Sequence, residues 1–207
     1  MSSRNGTAHL GLYDTLADWE VGHLLAELRT GRFTGIRFDI VAVAESLDQI
    51  TTMGGVHMIP DALIAELDPA DSDLLILPGG EMWDIGGGEA FADAARRFLE
   101  AGVPVAAICG ATAGLARAGL LDDREHTSAA LEYLAATGYR GDGRYIDQRA
   151  VVDGDLITAG PQSPVQFACA TLQRLGLASA RTLDAYERLF GSGDATAFSV
   201  LIEPQSK

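Results

Sequence analysis

Cys109 is the residue best placed to do chemistry. It directly follows the apolar run VPVAAI and precedes the small residues GATAG, so it is predicted to sit on a sharp turn between a strand and a helix. Such a nucleophile elbow points the sulfur at a helix N-terminus, where the helix dipole favours the reactive thiolate. Many cysteines in a core are inert packing residues, and position alone leaves both interpretations open.

Backbone donors for a developing negative charge are available beside this cysteine. Gly79 and Gly80 end a second apolar run, and the N–H groups of Gly80 and Gly110 could together form an oxyanion hole. A Pro-Gly-Gly turn without any catalytic role is the simpler interpretation. Thr112 lies in the same loop as Cys109 and is a candidate pocket residue.

Acidic groups cluster where the first helix is predicted to begin. Glu20 could reach the same pocket and hydrogen-bond the sulfur, with Asp14 and Asp18 as alternatives. Capping of the first helix is the simpler interpretation for all three residues. Trp19 and Trp83 flank two of the loops and are candidate pocket walls, although a core or interface position suits tryptophan as well.

His126 is the only histidine after the elbow and is a candidate base or ion-pair partner for the thiolate. A single histidine is also common on a surface. The other three histidines and Cys169 are interpreted as structural, since Cys169 lies in the apolar helical run VQFACATLQRL.

Composition excludes several other chemistries. The 207 residues carry a formal net charge of −14, which disfavours nucleic acid and anionic membranes as partners. The only lysine is Lys207, so a Schiff-base or phosphate-loop lysine is not expected. Two cysteines and four scattered histidines lack metal-ligand spacing, and we expect neither metal nor cofactor. The short polar start and the absence of a long apolar run predict neither a signal peptide nor a membrane span, and the two cysteines indicate a cytoplasmic protein.

Alternating strand and helix patterns must position these residues. Strands are predicted at 8–13, 36–43, 56–59, 73–77 and 103–108, with a β-hairpin at 149–152 and 155–159. Helices are predicted from about 15 to 30 and at 61–67, 88–101, 111–118, 128–136, 165–175 and 179–190, with a loose tail after Gly191. This order predicts one α/β domain over 1–207, a three-layer α/β/α sandwich with a mostly parallel central sheet. Sites in such folds lie at the carboxyl ends of the strands. Residues 1–6 are predicted to be a short tail and 177–207 a C-terminal extension.

Four motifs in this order resemble the ThiJ/PfpI superfamily, a deglycase-like group with the flavodoxin-like, class I glutamine amidotransferase-like fold. They are DLLILPGG, VAAICGATAGLARAGLL, a histidine seventeen residues after the cysteine, and DGDLITAGPQSPVQFACATL. The resemblance covers about residues 8–175. It implies that Cys109 is the nucleophile, Glu20 a buried acid touching the sulfur and His126 a nearby imidazole. It also implies Gly80 and Gly110 as backbone donors, and a homodimer with the pocket near the subunit contact.

Two departures from family patterns narrow the activity. Glutamine amidotransferases of this fold carry G-x-C-x-G and His-x-Glu, whereas this chain reads AICGA and His126-Thr127-Ser128. Peptidase-like members place a histidine directly after the cysteine, where this chain has Gly110. The sequence therefore favours a cysteine enzyme acting on a small electrophile, of glyoxalase, deglycase or hydratase type. The alternatives are a redox-sensing or stress-protective protein, in which Glu20 holds an oxidised Cys109, and a scaffold without activity.

Overall fold

A seven-stranded, mostly parallel sheet forms the centre of the protein in the computed structural model, which describes residues 6–203. The strands of this sheet are β1 (Gly6–Gly11), β2 (Phe38–Ala44), β5 (Ala62–Leu63), β6 (Leu74–Leu77), β7 (Val105–Ile108), β8 (Ala150–Asp153) and β9 (Leu156–Ala159). Two short strands, β3 (Ile50–Thr51) and β4 (His57–Met58), form a separate antiparallel hairpin. The strand order is β5-β2-β1-β6-β7-β9-β8, and β8 alone runs antiparallel, as the outer strand of the predicted hairpin. The three-layer fold class is confirmed.

Helices cover both faces of this sheet. They are α1 (Asp18–Thr30), α2 (Glu81–Asp84), α3 (Glu89–Glu100), α4 (Gly110–Arg117), α5 (Leu131–Ala135), α6 (Pro164–Arg174), α7 (Ala180–Ser192) and α8 (Phe198–Leu201). The first helix ends as predicted at Gly31, whose left-handed conformation (φ 57°) suits glycine. Helices α1 and α6 pack together, and α3 packs against α4 and against β6 and β7. No helix within residues 6–203 is long and apolar enough to cross a membrane.

The central strands bring the candidate residues to one edge of the sheet. Every residue of β6, β7 and β9 is buried, which explains why these strands read as continuous apolar runs. Strand β6 pairs in parallel with both β1 and β7. The turns that follow β1, β6 and β7 therefore meet at the carboxyl edge, where Gly79 and Cys109 lie.

Three predictions about local structure were wrong. The segment 61–67 is not a helix, because β5 pairs with β2 as the edge strand of the sheet and only a 3-10 turn, Ile64–Glu66, follows. The region after Gly191 is not loose as far as residue 203, since Ala197 and Leu201 are buried. Gly6, predicted to belong to an N-terminal tail, is in β1; the rest of that predicted tail, residues 1–5, and residues 204–207 lie outside the described part of the chain.

Candidate active site

The turn at Cys109 has the predicted elbow geometry. Cys109 joins β7 to α4 with φ 56° and ψ −126°, a conformation that a residue with a side chain rarely adopts. The Thr112 hydroxyl donates to the Cys109 carbonyl at 2.6 Å and lies 2.6 Å from the Ser128 hydroxyl. Backbone strain of this kind costs about 1–3 kcal/mol, and the surrounding hydrogen bonds hold it in place. Thr112 therefore positions the elbow from a fully buried site and does not line a pocket.

Glu20 is the acid that reaches the sulfur. Its side chain is fully buried, and Oε2 accepts a hydrogen bond of 2.6 Å from the Gly79 N–H. A Cβ atom at Gly79 would lie 2.9 Å from Glu20 Oε2 and 3.0 Å from Cys109 Sγ, so the carboxyl and the sulfur converge on this glycine. Glu20 Oε1 is buried and accepts no hydrogen bond from residues 6–203. A neutral carboxylic acid tolerates that environment better than a carboxylate.

Burial changes the protonation of both groups. Burial raises the pKa of Glu20 to about 7, although the Gly79 N–H and the Cys109 thiol both oppose the shift. Burial and then the charge of Glu20 raise the pKa of Cys109 to about 12, with the Gly110 N–H opposing. The N–H at the start of α4 favours the thiolate, as expected, but burial and Glu20 outweigh it. Together they favour the thiol form of Cys109, beside a carboxyl that can take its proton.

Ionisation of Glu20 is expected to destabilise the fold. Its pKa is raised from 4.5 to about 7, so the stabilising contribution is fully present below pH 4.5 and is lost as pH rises through 7. The loss amounts to about 3 kcal/mol. Thermal unfolding of wild type and Glu20→Gln across this range measures it. Wild type should lose stability more steeply with pH than the variant, and parallel curves would contradict the buried, titrating carboxyl.

Two glycine N–H groups face the space beside the sulfur. Gly80 precedes α2 in an extended conformation, and Gly110 is the first residue of α4. A Cβ atom at Gly110 would lie 3.3 Å from the Gly80 carbonyl oxygen, which places the two residues side by side. Within the described chain neither N–H donates to a backbone carbonyl, and the Gly110 N–H hydrogen-bonds to Cys109 and lowers the pKa of its thiol. The role of Gly80 and Gly110 as donors to a substrate oxygen stays a prediction.

Trp83 packs against the start of α4 and is fully buried, so its ring supports the elbow and is not exposed to a pocket. Its side chain is fully buried, and Nε1 donates to the Tyr13 hydroxyl and to the Pro78 carbonyl, each at 3.0 Å. The indole ring lies under α4 where Gly110 and Gly114 leave room for it. The small residues after the cysteine thus serve the packing of this ring.

Substituting Gly114 with alanine should destabilise the protein. A Cβ atom there would lie 2.1 Å from Trp83 Cζ3, so the ring or α4 must move, at a cost of about 1–3 kcal/mol in the free energy of unfolding. Gly22→Ala is the matched control, because Gly22 is in α1 with nothing within 4 Å and should stabilise its helix slightly. Chemical denaturation compares the two variants. Equal stabilities would contradict the packing of Trp83 against α4.

His126 hydrogen-bonds to residues other than Cys109 in the described chain, so its role as the imidazole beside the sulfur stays a prediction. Its ring is buried, Nδ1 lies 2.7 Å from the Arg124 carbonyl oxygen and Nε2 lies 3.2 Å from the Tyr139 hydroxyl. The ring also packs edge-on against Tyr145. Both ring nitrogens therefore have hydrogen-bond partners within a buried cluster, Nδ1 with the Arg124 carbonyl and Nε2 with the Tyr139 hydroxyl.

The other candidates near Glu20, which are Asp14, Asp18 and Trp19, hydrogen-bond to the backbone of other segments of the chain. Asp18 accepts the Gly54 N–H at 2.6 Å, and Asp14 accepts the Thr51 N–H at 2.8 Å. Both carboxylates therefore brace the β3–β4 hairpin. Trp19 is half exposed and donates from Nε1 to the Pro161 carbonyl at 3.2 Å. Within residues 6–203 neither Asp18 nor Trp19 hydrogen-bonds to Cys109, and their place in the pocket stays a prediction.

Two residues near the sulfur were missed in the sequence. The Tyr133 hydroxyl donates to Asp84 Oδ1 at 2.6 Å. Asp84 raises the pKa of Cys109, and the charge of Cys109 contributes to raising the pKa of Tyr133. Asp84 lies only four residues after Gly80, and this short spacing was the one sequence feature that could have placed it near the site. Nothing in the local pattern indicated that Tyr133 of α5 returns to this edge.

The fold and this cysteine site define a known class of protein. A family model for the DJ-1/PfpI family matches residues 7–174, and the chain belongs to this family.

Among curated relatives, the chain is 36% identical over 186 residues to "Uncharacterized protease YoaZ" of Bacillus subtilis, covering 87% of this chain and 89% of that protein. It is 35% identical over 126 residues to "Protein/nucleic acid deglycase 2" of Escherichia coli, covering 59% of this chain and 72% of that protein. The crystal structure of a thiJ/pfpI family protein from Bacillus anthracis superposes with a TM-score of 0.90 at 35% identity, over 96% of both chains.

Proposed function

We propose that this protein is a cysteine-dependent enzyme that acts on a small electrophilic carbon, as a glyoxalase, deglycase or hydratase does. The observation that carries the proposal is that the buried Glu20 carboxyl and the thiol of Cys109, on a strained elbow, converge on Gly79. The membership in the DJ-1/PfpI family and the deglycase name of one relative support it.

The geometry suggests a first chemical step. Cys109 Sγ attacks a carbonyl carbon, a sulfur–carbon bond forms, and the thiol proton passes to the Glu20 carboxylate. The electron pair of the broken C=O π bond moves to the oxygen, which accepts hydrogen bonds from the Gly80 and Gly110 N–H groups. A base with a pKa of about 7 suits this transfer near neutral pH. The proton then held by Glu20 can return to the oxygen or to a leaving group.

Glutamine and peptide hydrolysis fit this site less well. Papain-like hydrolases use a histidine paired with the cysteine to protonate the leaving amine. Here His9 lies beside Ser72, His23 beside Tyr186 and His57 beside Thr51, and both nitrogens of His126 are occupied. The site therefore offers a carboxylic acid as its proton carrier and no neighbouring imidazole among the described contacts.

Redox sensing is the weaker alternative. Peroxide oxidises the thiolate, and the raised pKa of Cys109 leaves little thiolate at neutral pH. Mild peroxide treatment followed by peptide mass spectrometry decides this point. A rapid two-oxygen adduct on Cys109 would favour redox sensing, and a slow, incomplete reaction would favour catalysis.

A substrate panel tests the proposed function. Purified protein is assayed with methylglyoxal, an isonitrile, glutamine and an unstructured peptide. We expect turnover of a small electrophile, without ammonia release from glutamine and without peptide cleavage. Turnover of glutamine or peptide with none of the small electrophiles would contradict the proposal.

A further inference from the structure

Thr15 is one of two residues other than glycine that have a positive φ within residues 6–203. Its φ is 61°, and the other residue is Cys109, with φ 56°. A β-branched residue rarely adopts this conformation, and its surroundings must hold it in place. The Thr15 N–H donates to the Thr51 carbonyl of β3 at 2.8 Å, which fixes its backbone. Both strained residues lie at the carboxyl edge of the sheet, Thr15 after β1 and Cys109 after β7.

The Thr15 side chain holds the turn that follows β6. Its Oγ1 accepts a hydrogen bond of 2.9 Å from the Glu81 N–H. Two residues earlier in the turn, the Gly79 N–H donates to Glu20 Oε2 at 2.6 Å. The segment around the start of α1 therefore binds the N–H groups on either side of Gly80.

Gly80 is the residue of this turn whose N–H is left without an acceptor. Among the contacts of residues 6–203 it donates to no other group. Its position is closely fixed, because a Cβ atom there would lie 2.9 Å from Tyr13 Cε2 and 3.4 Å from the Thr15 carbonyl oxygen. The turn also contacts the nucleophile, since a Cβ atom at Gly79 would lie 3.0 Å from Cys109 Sγ.

We propose that Thr15 is a positioning residue, which holds the turn so that the Gly80 N–H points at the oxygen of a substrate bound to Cys109. The inference rests on the proposed function in taking Cys109 as the nucleophile and Gly80 as a donor. It also explains the strained backbone of Thr15. Glycine would suit this φ better, but glycine has no hydroxyl to accept the Glu81 N–H.

Reversible addition of Cys109 to acetaldehyde measures this positioning without turnover. Sγ forms a bond to the carbonyl carbon, the π electron pair moves to the oxygen, and the thiol proton ends on that oxygen, which gives a hemithioacetal. Carbon-13 NMR with acetaldehyde labelled at C1 gives the association constant. The protein carries Cys169→Ser, so that Cys109 is its only cysteine.

Thr15→Val removes the hydroxyl at nearly the same size. It should lower the association constant about three- to tenfold, because the oxygen of the adduct loses an aligned donor. Thr15→Ser keeps the hydroxyl and should restore the original constant. Thr15→Gly relieves the backbone strain, so in chemical denaturation it should be no less stable than Thr15→Val, yet it should bind acetaldehyde as weakly.

Thr52→Val is the matched control. Thr52 Oγ1 accepts the Val56 N–H at 3.0 Å within the β3–β4 hairpin, so this variant also removes a hydroxyl acceptor of a backbone N–H. Its association constant should equal that of the protein with Thr15 and Thr52 intact. An unchanged constant in Thr15→Val, an equal fall in Thr52→Val, no recovery in Thr15→Ser, or no adduct on Cys109 in the unsubstituted site would overturn the proposal.

Formation of the adduct requires no turnover, so this test and the substrate panel can fail separately. If no electrophile is turned over while the adduct depends on the Thr15 hydroxyl, the proposed function fails and the positioning role stands. If turnover is found and the adduct does not depend on Thr15, the reverse holds.

Discussion

Replacing Cys109 with serine is expected to reduce kcat/KM for a turned-over electrophile by a factor of ~10³ or more. Serine keeps the size and the elbow but is a far weaker nucleophile, and its alkoxide is harder to form than a thiolate. Since Glu20 and Cys109 Sγ converge on Gly79 and the Gly110 N–H hydrogen-bonds to Cys109, the sulfur is the atom on which the site converges.

Cys169→Ser is the matched control for this substitution. Cys169 is buried in α6, where its thiol lies 3.8 Å from the Leu183 carbonyl oxygen. Its replacement should leave turnover unchanged even if stability falls. Steady-state kinetics on folded protein measures both variants. Retention of activity in Cys109→Ser would exclude the sulfur as the nucleophile.

Replacing Glu20 with glutamine is expected to reduce kcat by ~10²–10³-fold. The amide is nearly the same size, and its oxygen can still accept the Gly79 N–H, so the fold is retained. It cannot accept the thiol proton, and the half-buried Cys109 would then have to lose that proton to water. The effect should fall on kcat more than on KM, because the proton is transferred in the chemical step.

Glu27→Gln controls for the loss of a buried carboxylate from the same helix. Glu27 is 3% exposed and accepts the N–H groups of Phe33 and Thr34 at 2.7 and 2.8 Å, away from the sulfur. Its substitution should lower stability without lowering kcat of the folded enzyme. Equal kinetic losses in the two variants would show that Glu20 acts only through the fold.

The sequence was informative where one local pattern determined one structural outcome. The apolar runs of β6 and β7 are typical of strands covered on both faces, and both strands are fully buried. Because Cys109 directly follows the second run, its place at the end of a central strand could be predicted. Glu20 was harder to choose from its acidic neighbours. Its position in α1 turns it inward, while Asp14 and Asp18 face the β3–β4 hairpin, and that hairpin was not visible as a pair in the sequence.

Residues that depend on the path of a loop were not predictable. His126 follows Cys109 by seventeen residues, which indicated a role beside the sulfur. In the structure its ring nitrogens contact the Arg124 carbonyl and the Tyr139 hydroxyl. The pairing of Asp84 with Tyr133 joins residues 49 apart in sequence, and neither has a distinctive motif. Tertiary contacts of this kind determine which residues surround a site, but they produce no recognisable pattern in the local sequence.

The dependence of kcat/KM on pH tests most directly whether Glu20 takes the proton of Cys109. Because Glu20 must be ionised to accept it, and burial raises the pKa of Glu20 to about 7, activity of the wild type should rise with pH through a midpoint near 7. The residual activity of Glu20→Gln should lack this rise. The same midpoint near 7 in both proteins would show that another group controls the reaction and would contradict the account.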